Sequence, residues 1–314
     1  MNLFQLQLFS EDEIQKCDLR PGLQIQESVK PDLPENTIYH VGVSGGKDST
    51  AVLLWMLYES GIPKEKINAT FADTGNEHEW TYAHIELLSK TIHPIETLKP
   101  ELDFYELVRS KGTFPSARRR FCTEALKIWP AQDHIKYLRE AYSEVVAVSG
   151  VRADESEDRK NLPEWDYSGN LLTLQWRPLI RWTFADVLEI HKKYNVPLNP
   201  LYGLGAERVG CYPCINSRKH EVRTIALNFP ERIKMIEDIE NELWANGKTT
   251  AFFHASKIPE RFRTRPFTSK KTGEFMMVAK ISDVVRWSMT GKNAKGSHLD
   301  DPPEPISCSS GFCE

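Results

Sequence analysis

From Ile38 onward the chain alternates short apolar runs with amphipathic stretches. Ile38–Val43 predicts a strand, Ser49–Ser60 a helix closed by Gly61, and Ala69–Ala72 a second strand. Glu77–Lys90 predicts a helix with Trp80, Ala83, Leu87 and Leu88 on its apolar face. A short strand at Ile92–Ile95, a helix from Thr123 to Ala141 and the β-branched run Val145–Ser149 continue the pattern. Strand and helix in alternation imply an α/β fold, a doubly wound parallel sheet covered on both faces, with ligands bound beyond the carboxyl ends of its strands. After Gly150 comes a charged loop containing Trp165, then an apolar run Leu172–Leu179, a helix near Phe184–Tyr194, and a helical stretch from Lys219 to Asn246 interrupted by Pro230. The chain therefore divides into an N-terminal arm (1–36), a nucleotide-binding domain (37–218), a basic, smaller, mostly helical C-terminal subdomain (219–300) and a Cys-containing tail (301–314).

Composition narrows this little. With 314 residues, 40% apolar and 27% charged, the chain is neither a disulfide mini-protein nor a membrane bundle. Its longest apolar run, Ala51–Tyr58, is far short of the roughly 20 residues of a membrane span. Met1–Ser10 lacks the basic start and apolar centre of a signal peptide, so a cytoplasmic location is expected. Net charge is −4, but 247–296 holds eleven lysines and arginines against three acids.

The sharpest local feature is Ser44-Gly45-Gly46-Lys47-Asp48-Ser49, where a strand ends and a helix begins. Two glycines free backbone N–H groups to close on phosphate oxygens at a helix N-terminus. Lys47 adds a point charge, Ser44 and Ser49 add hydroxyls, and Asp48 is a candidate ligand for Mg²⁺. This loop resembles the S-G-G-K-D-S signature of the PP-loop ATP pyrophosphatases. Ala72-Asp73-Thr74-Gly75, Gly150-Val151-Arg152 through Glu155-Ser156, Pro178-Leu179 through Trp182, Asp186-Val187, Pro197-Leu198-Asn199-Pro200-Leu201-Tyr202 and Gly210-Cys211-Tyr212-Pro213-Cys214 together resemble the PAPS reductase-like branch of that superfamily. Phage-encoded homologues and the ATP pyrophosphatases of DNA phosphorothioation are the members it most resembles. The resemblance implies an adenine nucleotide alpha hydrolase-like sheet, and it makes Asp73, Gly150 and Arg152 nucleotide contacts.

Cys122 precedes a predicted helix, and Cys211 with Cys214 forms a C-x-x-C that suits one edge of a metal site. The residues alone leave zinc and iron–sulfur open. The resemblance implies a 4Fe-4S cluster, with one ligand missing because Phe121 stands where cluster-bearing relatives carry a second cysteine; Cys308 or Cys313 is a candidate cap. Cys17 is a bystander.

Two reactions follow from the resemblance. An ATP pyrophosphatase would split ATP to AMP and pyrophosphate, adenylylating an acceptor for attack by sulfur. A sulfonucleotide reductase would instead release sulfite, with Cys313 as nucleophile. The intact Gly-Gly-Lys-Asp favours the first, with Lys47 and Asp48 as catalytic groups holding the leaving pyrophosphate. The first reaction needs a sulfur donor such as a cysteine desulfurase, the second a thiol reductant. Arg261, Arg263, Arg265, Lys270 and Lys271, interleaved with Phe252, Phe253, Phe262 and Phe267, are a candidate surface for a nucleic-acid acceptor. A nucleotide-binding module without turnover is the third alternative.

Overall fold

The computed structural model describes residues 31–253, 258–268 and 273–290. Cys17, Cys308, Cys313, Lys270 and Lys271 lie outside them. The described chain forms two compact units, one of 31–100 and 123–210, the other of 101–122 and 211–290. Among the described residues no helix is long and apolar enough to cross a membrane.

In chain order the elements are β1 (Thr37–Gly42), α1 (Lys47–Tyr58), β2 (Ile67–Ala72), α2 (Glu79–Thr91), β3 (Ile95–Leu98), α3 (Phe104–Lys111), α4 (Trp129–Leu138), β4 (Glu144–Val148), β5 (Trp165–Ser168), β6 (Thr173–Trp176), α5 (Phe184–Lys193), α6 (Lys219–Asn228), α7 (Pro230–Ala245), β7 (Arg265–Thr268), β8 (Phe275–Val278) and α8 (Ile281–Ser288). The first unit carries a six-stranded sheet in the order β3-β2-β1-β4-β6-β5. Its strands run parallel except β5, which pairs antiparallel with β6. β1 sits between β2 and β4, so strand order reverses there and a crevice opens at the carboxyl ends. α1 is apolar almost all round, and Ala51, Val52, Leu53, Leu54 and Met56 are all buried with β1, β2 and β4 residues in one core.

Four expectations change. The short strand expected at Ile92–Ile95 lies at β3, Ile95–Leu98, because Ile92 still closes α2. The buried face of α2 is Thr81, His84, Ile85 and Leu88, not Trp80, Ala83 and Leu87, because two polar residues turn inward to meet neighbours described below. Trp165, expected in a loop, is in β5 and stacks on Trp176 of β6 at a centroid distance of 4.8 Å. The helix expected from Thr123 to Ala141 begins as a turn at Phe121–Thr123, widens to a π-helical turn at Glu124–Ile128 and ends with α4. Pro130 accounts for the widening, since its ring crowds the carbonyl four residues back and removes one donor.

The second unit holds α3, α6, α7, α8 and the β7–β8 hairpin, with Phe104, Phe114, Phe252 and Phe253 forming an aromatic core. Within it Glu240, in the middle of α7, is fully buried. Its two carboxylate oxygens accept the backbone N–H groups of Phe252 and Ile281, each at 2.8 Å, so one side chain ties α7 to a loop and to the first turn of α8.

Burial pushes the Glu240 carboxyl up from 4.5 to about 7, against the two N–H groups and Arg265. The unfolded chain ionises this group first, so its contribution to stability is complete below pH 4.5 and is lost as pH rises through about 7. Urea midpoints should therefore fall between pH 5 and pH 8, and Glu240→Gln should remove that part of the slope; an unchanged slope in the variant contradicts the assignment.

Candidate active site

The crevice is built on the segment between β1 and α1. Val43 N–H donates to the Thr70 carbonyl at 2.7 Å, so the chain leaves the sheet in register before turning. Gly45 then takes φ +79, a conformation that side-chain-bearing residues rarely adopt, and an added Cβ would press on Thr81 at 3.3 Å. Ser44 N–H donates to Ser49 Oγ at 3.1 Å and Gly46 N–H to Ser44 Oγ at 3.3 Å. Two loop N–H groups, of Ser44 and Gly46, thus meet hydroxyl oxygens in the way they would meet the oxygens of a phosphate, at the start of a twelve-residue helix.

Asp48 is 1% exposed and sits between two cations. Arg152 Nε donates to its Oδ1 at 2.6 Å, and Lys47 Nζ lies 2.8 Å from its Oδ2. Burial pushes the carboxyl up, but Lys47 and Arg152 together outweigh it and hold the group well below the usual carboxylate range. Arg152 in turn is desolvated, yet Asp48, Glu155 and Asp154 raise it above its ordinary value. Its guanidinium, expected at the nucleotide, is directed to Asp48 and, at 3.2 Å, to Asp154. Gly150 allows this closeness, because a Cβ there would run into the Asp48 carbonyl.

Ser44 and Ser49 at the two ends of the loop, the ends of β2 and β4, Ser149 and Gly150, and the side chains of Glu77 and Lys127 line one pocket in the first unit. Glu77 is buried, and both its oxygens accept from Thr74, the backbone N–H at 3.0 Å and the hydroxyl at 2.7 Å. Burial raises its pKa against the pull of Lys127. Asp73, half-buried at the end of β2, accepts from Gly75 N–H at 2.9 Å and from Tyr82 OH at 2.7 Å through one oxygen. Sequence reasoning named Asp73, one residue beyond the lining residue Ala72, but missed Glu77 and Lys127. The Thr74…Glu77 spacing, a side-chain-capped turn, was the available signal for the first; Lys127 comes to the pocket on the π-helical turn.

The magnesium implied at Asp48 does not fit its expected ligand as the chain is arranged. Both Asp48 oxygens are taken by cations, which leaves it a poor magnesium ligand. Cys122, Cys211 and Cys214 are half-buried residues of the second unit, but among the described residues no three His, Cys, Asp or Glu side chains gather as a metal site. Cys214 Sγ accepts the Asn216 N–H at 3.5 Å. In the same unit, Phe252 and Phe253 are core residues and cannot stack bases. Arg261 lies over Phe262 at 5.1 Å and Arg265 over Trp244 at 4.5 Å.

Arg152→Met would strand a buried carboxylate with one cation. Urea unfolding should show a loss of about 3–5 kcal/mol, partly recovered in the Asp48→Asn/Arg152→Met double variant. A loss under about 1 kcal/mol would show that the pair is not what holds the first turn of α1.

The family model of the phosphoadenosine phosphosulfate reductase domain matches residues 38–217. An uncharacterized 37.8 kDa protein of Escherichia phage 186 is 32% identical over 85% of this chain and 92% of its own length. Adenosine 5'-phosphosulfate reductase 2 of Bacillus subtilis is 29% identical over 46% of the chain, and the match spans 60% of that reductase. A crystal structure of phosphoadenylyl-sulfate reductase from Candida auris, in a phosphate complex, superposes with a TM-score of 0.45 at 19% identity, covering 58% of this chain and 83% of the other. At that score the superposition adds nothing to the topology above. The family match over more than half of the residues, around a crevice built on the glycine loop, means that the chain belongs to the phosphoadenosine phosphosulfate reductase domain family.

Proposed function

We propose that the first unit binds an adenine nucleotide with its anionic chain on Ser44–Ser49 and splits ATP between the α- and β-phosphates. The observation that carries this reading is the loop itself: convergent N–H groups, two serine hydroxyls and the Lys47 ammonium at the start of α1. An acceptor oxygen attacks the α-phosphorus, the bond from that phosphorus to the α–β bridging oxygen breaks, and pyrophosphate leaves with the electron pair. The N–H groups and Lys47 face the charge that grows on the departing group, where fixed donors act most strongly. The adenylylated acceptor is then open to displacement of AMP by sulfur from a donor such as a cysteine desulfurase. The basic stretch 247–296, with eleven lysines and arginines against three acids, supports nucleic acid as one acceptor class.

A second reading, reduction of a sulfonucleotide to sulfite, is supported by the relatives named as adenosine 5'-phosphosulfate reductases. It uses the same loop for the 5'-phosphosulfate and would draw on Cys313 as nucleophile.

A parallel assay separates the two. Under the proposal ATP yields pyrophosphate, and Lys47→Ala lowers that rate by about 10²–10³-fold. Sulfite from phosphoadenosine phosphosulfate with a dithiol, and no pyrophosphate from ATP, would establish the reductase instead.

A further inference from the structure

Behind the loop, away from any role assigned so far, the Lys47 peptide is held from both sides. Tyr202 OH accepts its N–H at 3.0 Å, and His191 Nε2 lies 2.8 Å from its carbonyl oxygen. Asn199, three residues before Tyr202, donates through Nδ2 to the Gly45 carbonyl and to Thr81 Oγ1, both at 3.3 Å. The Lys47 ammonium lies 5.3 Å from the ring centre of Tyr202 and 5.8 Å from that of Phe184, the first residue of α5. One helix, α5, thus supplies both an aromatic wall for the ammonium and the histidine on its carbonyl.

His191 is 1% exposed, and its other nitrogen, Nδ1, faces the Val196 carbonyl at 3.1 Å. The titratable groups around it are Lys47 and Asp48 of α1 and His84 of α2. Two carbonyl oxygens compete for the ring. Burial keeps it below the usual histidine pKa, against the two carbonyls and Asp48; the one N–H of the neutral ring is assigned to Nε2, whose contact, to Lys47, is the shorter.

We infer that His191 is a positioning residue of the anion loop: its Nε2–H fixes the Lys47 peptide, and through it aims the loop N–H groups and the ammonium at the anionic chain of the nucleotide. This rests on the reading of Ser44–Ser49 as that anion site. Adenosine, which has no anionic chain, does not depend on the clamp.

The two ring nitrogens can be told apart by substitution. A glutamine amide nitrogen reaches the place of Nε2, an asparagine amide nitrogen that of Nδ1. Binding of ATP and of adenosine to the full chain is measured by calorimetry and competition at pH 7.5. His191→Gln should keep ATP affinity within about threefold of wild type, whereas His191→Asn should lose about tenfold, the worth of one buried hydrogen bond, with adenosine affinity unchanged in both. Equal loss for ATP and adenosine, or an asparagine variant that keeps the wild-type ratio, overturns the clamp. Should His191→Asn fail to fold, Tyr202→Phe removes the opposite grip on the same peptide; it should show the same selective loss, and an unchanged ratio in it is equally fatal. If the wild-type protein binds ATP no more tightly than adenosine, the anion-site reading falls and the clamp with it.

Discussion

Everything at the crevice depends on a carboxylate that never reaches water. Asp48 lies in the first turn of α1, between a guanidinium from the segment after β4 and an ammonium from its own neighbour. An isolated charge at that depth would be costly, and the two cations together offset the cost. The pair joins the glycine loop to the β4 end of the sheet, which is why Gly150 must lack a side chain and why Arg152 is not free to follow a ligand. Lys47 keeps its ammonium near the loop because Asp48, Phe184 and Tyr202 surround it.

This assigns the acidic residue of the loop a different task from the one its position in the sequence suggests. A carboxylate beside a phosphate cradle reads as a metal ligand; one with both oxygens occupied by cations reads as a fastener. The charged side chains that line the pocket are Glu77 and Lys127, while Lys47 stands at the loop with its ammonium on Asp48. The loop N–H groups and Lys47 are fixed before any ligand arrives, which is the condition under which hydrogen-bond donors stabilise a departing anion most effectively.

Local features were legible in the sequence and distant ones were not. The loop, β1, α1 and the break at Pro230 follow from period, glycine and proline, all of which act within a few residues. Arg152 was recognisable as a site residue, but its partner is 104 positions away, and the His191 and Tyr202 contacts to Lys47 span 144 and 155. No periodicity encodes such pairings. The inward turn of Thr81 and His84 on α2 shows the same limit: apolarity picked Trp80, Ala83 and Leu87, while contact with the loop and its supports selected two polar side chains. Trp165 was hidden by charged neighbours; it is a strand residue because it pairs antiparallel with Trp176 of β6, on which its ring also stacks.

The central claim is that the N–H groups of Ser44–Gly46 grip an anion. Titrating isotopically labelled protein with inorganic pyrophosphate and following backbone amide resonances tests this without any turnover. The account predicts saturable shifts largest at Ser44, Gly45 and Gly46, with smaller ones at Ser149 and Gly150. Shifts centred elsewhere, or none at those three amides, would contradict it.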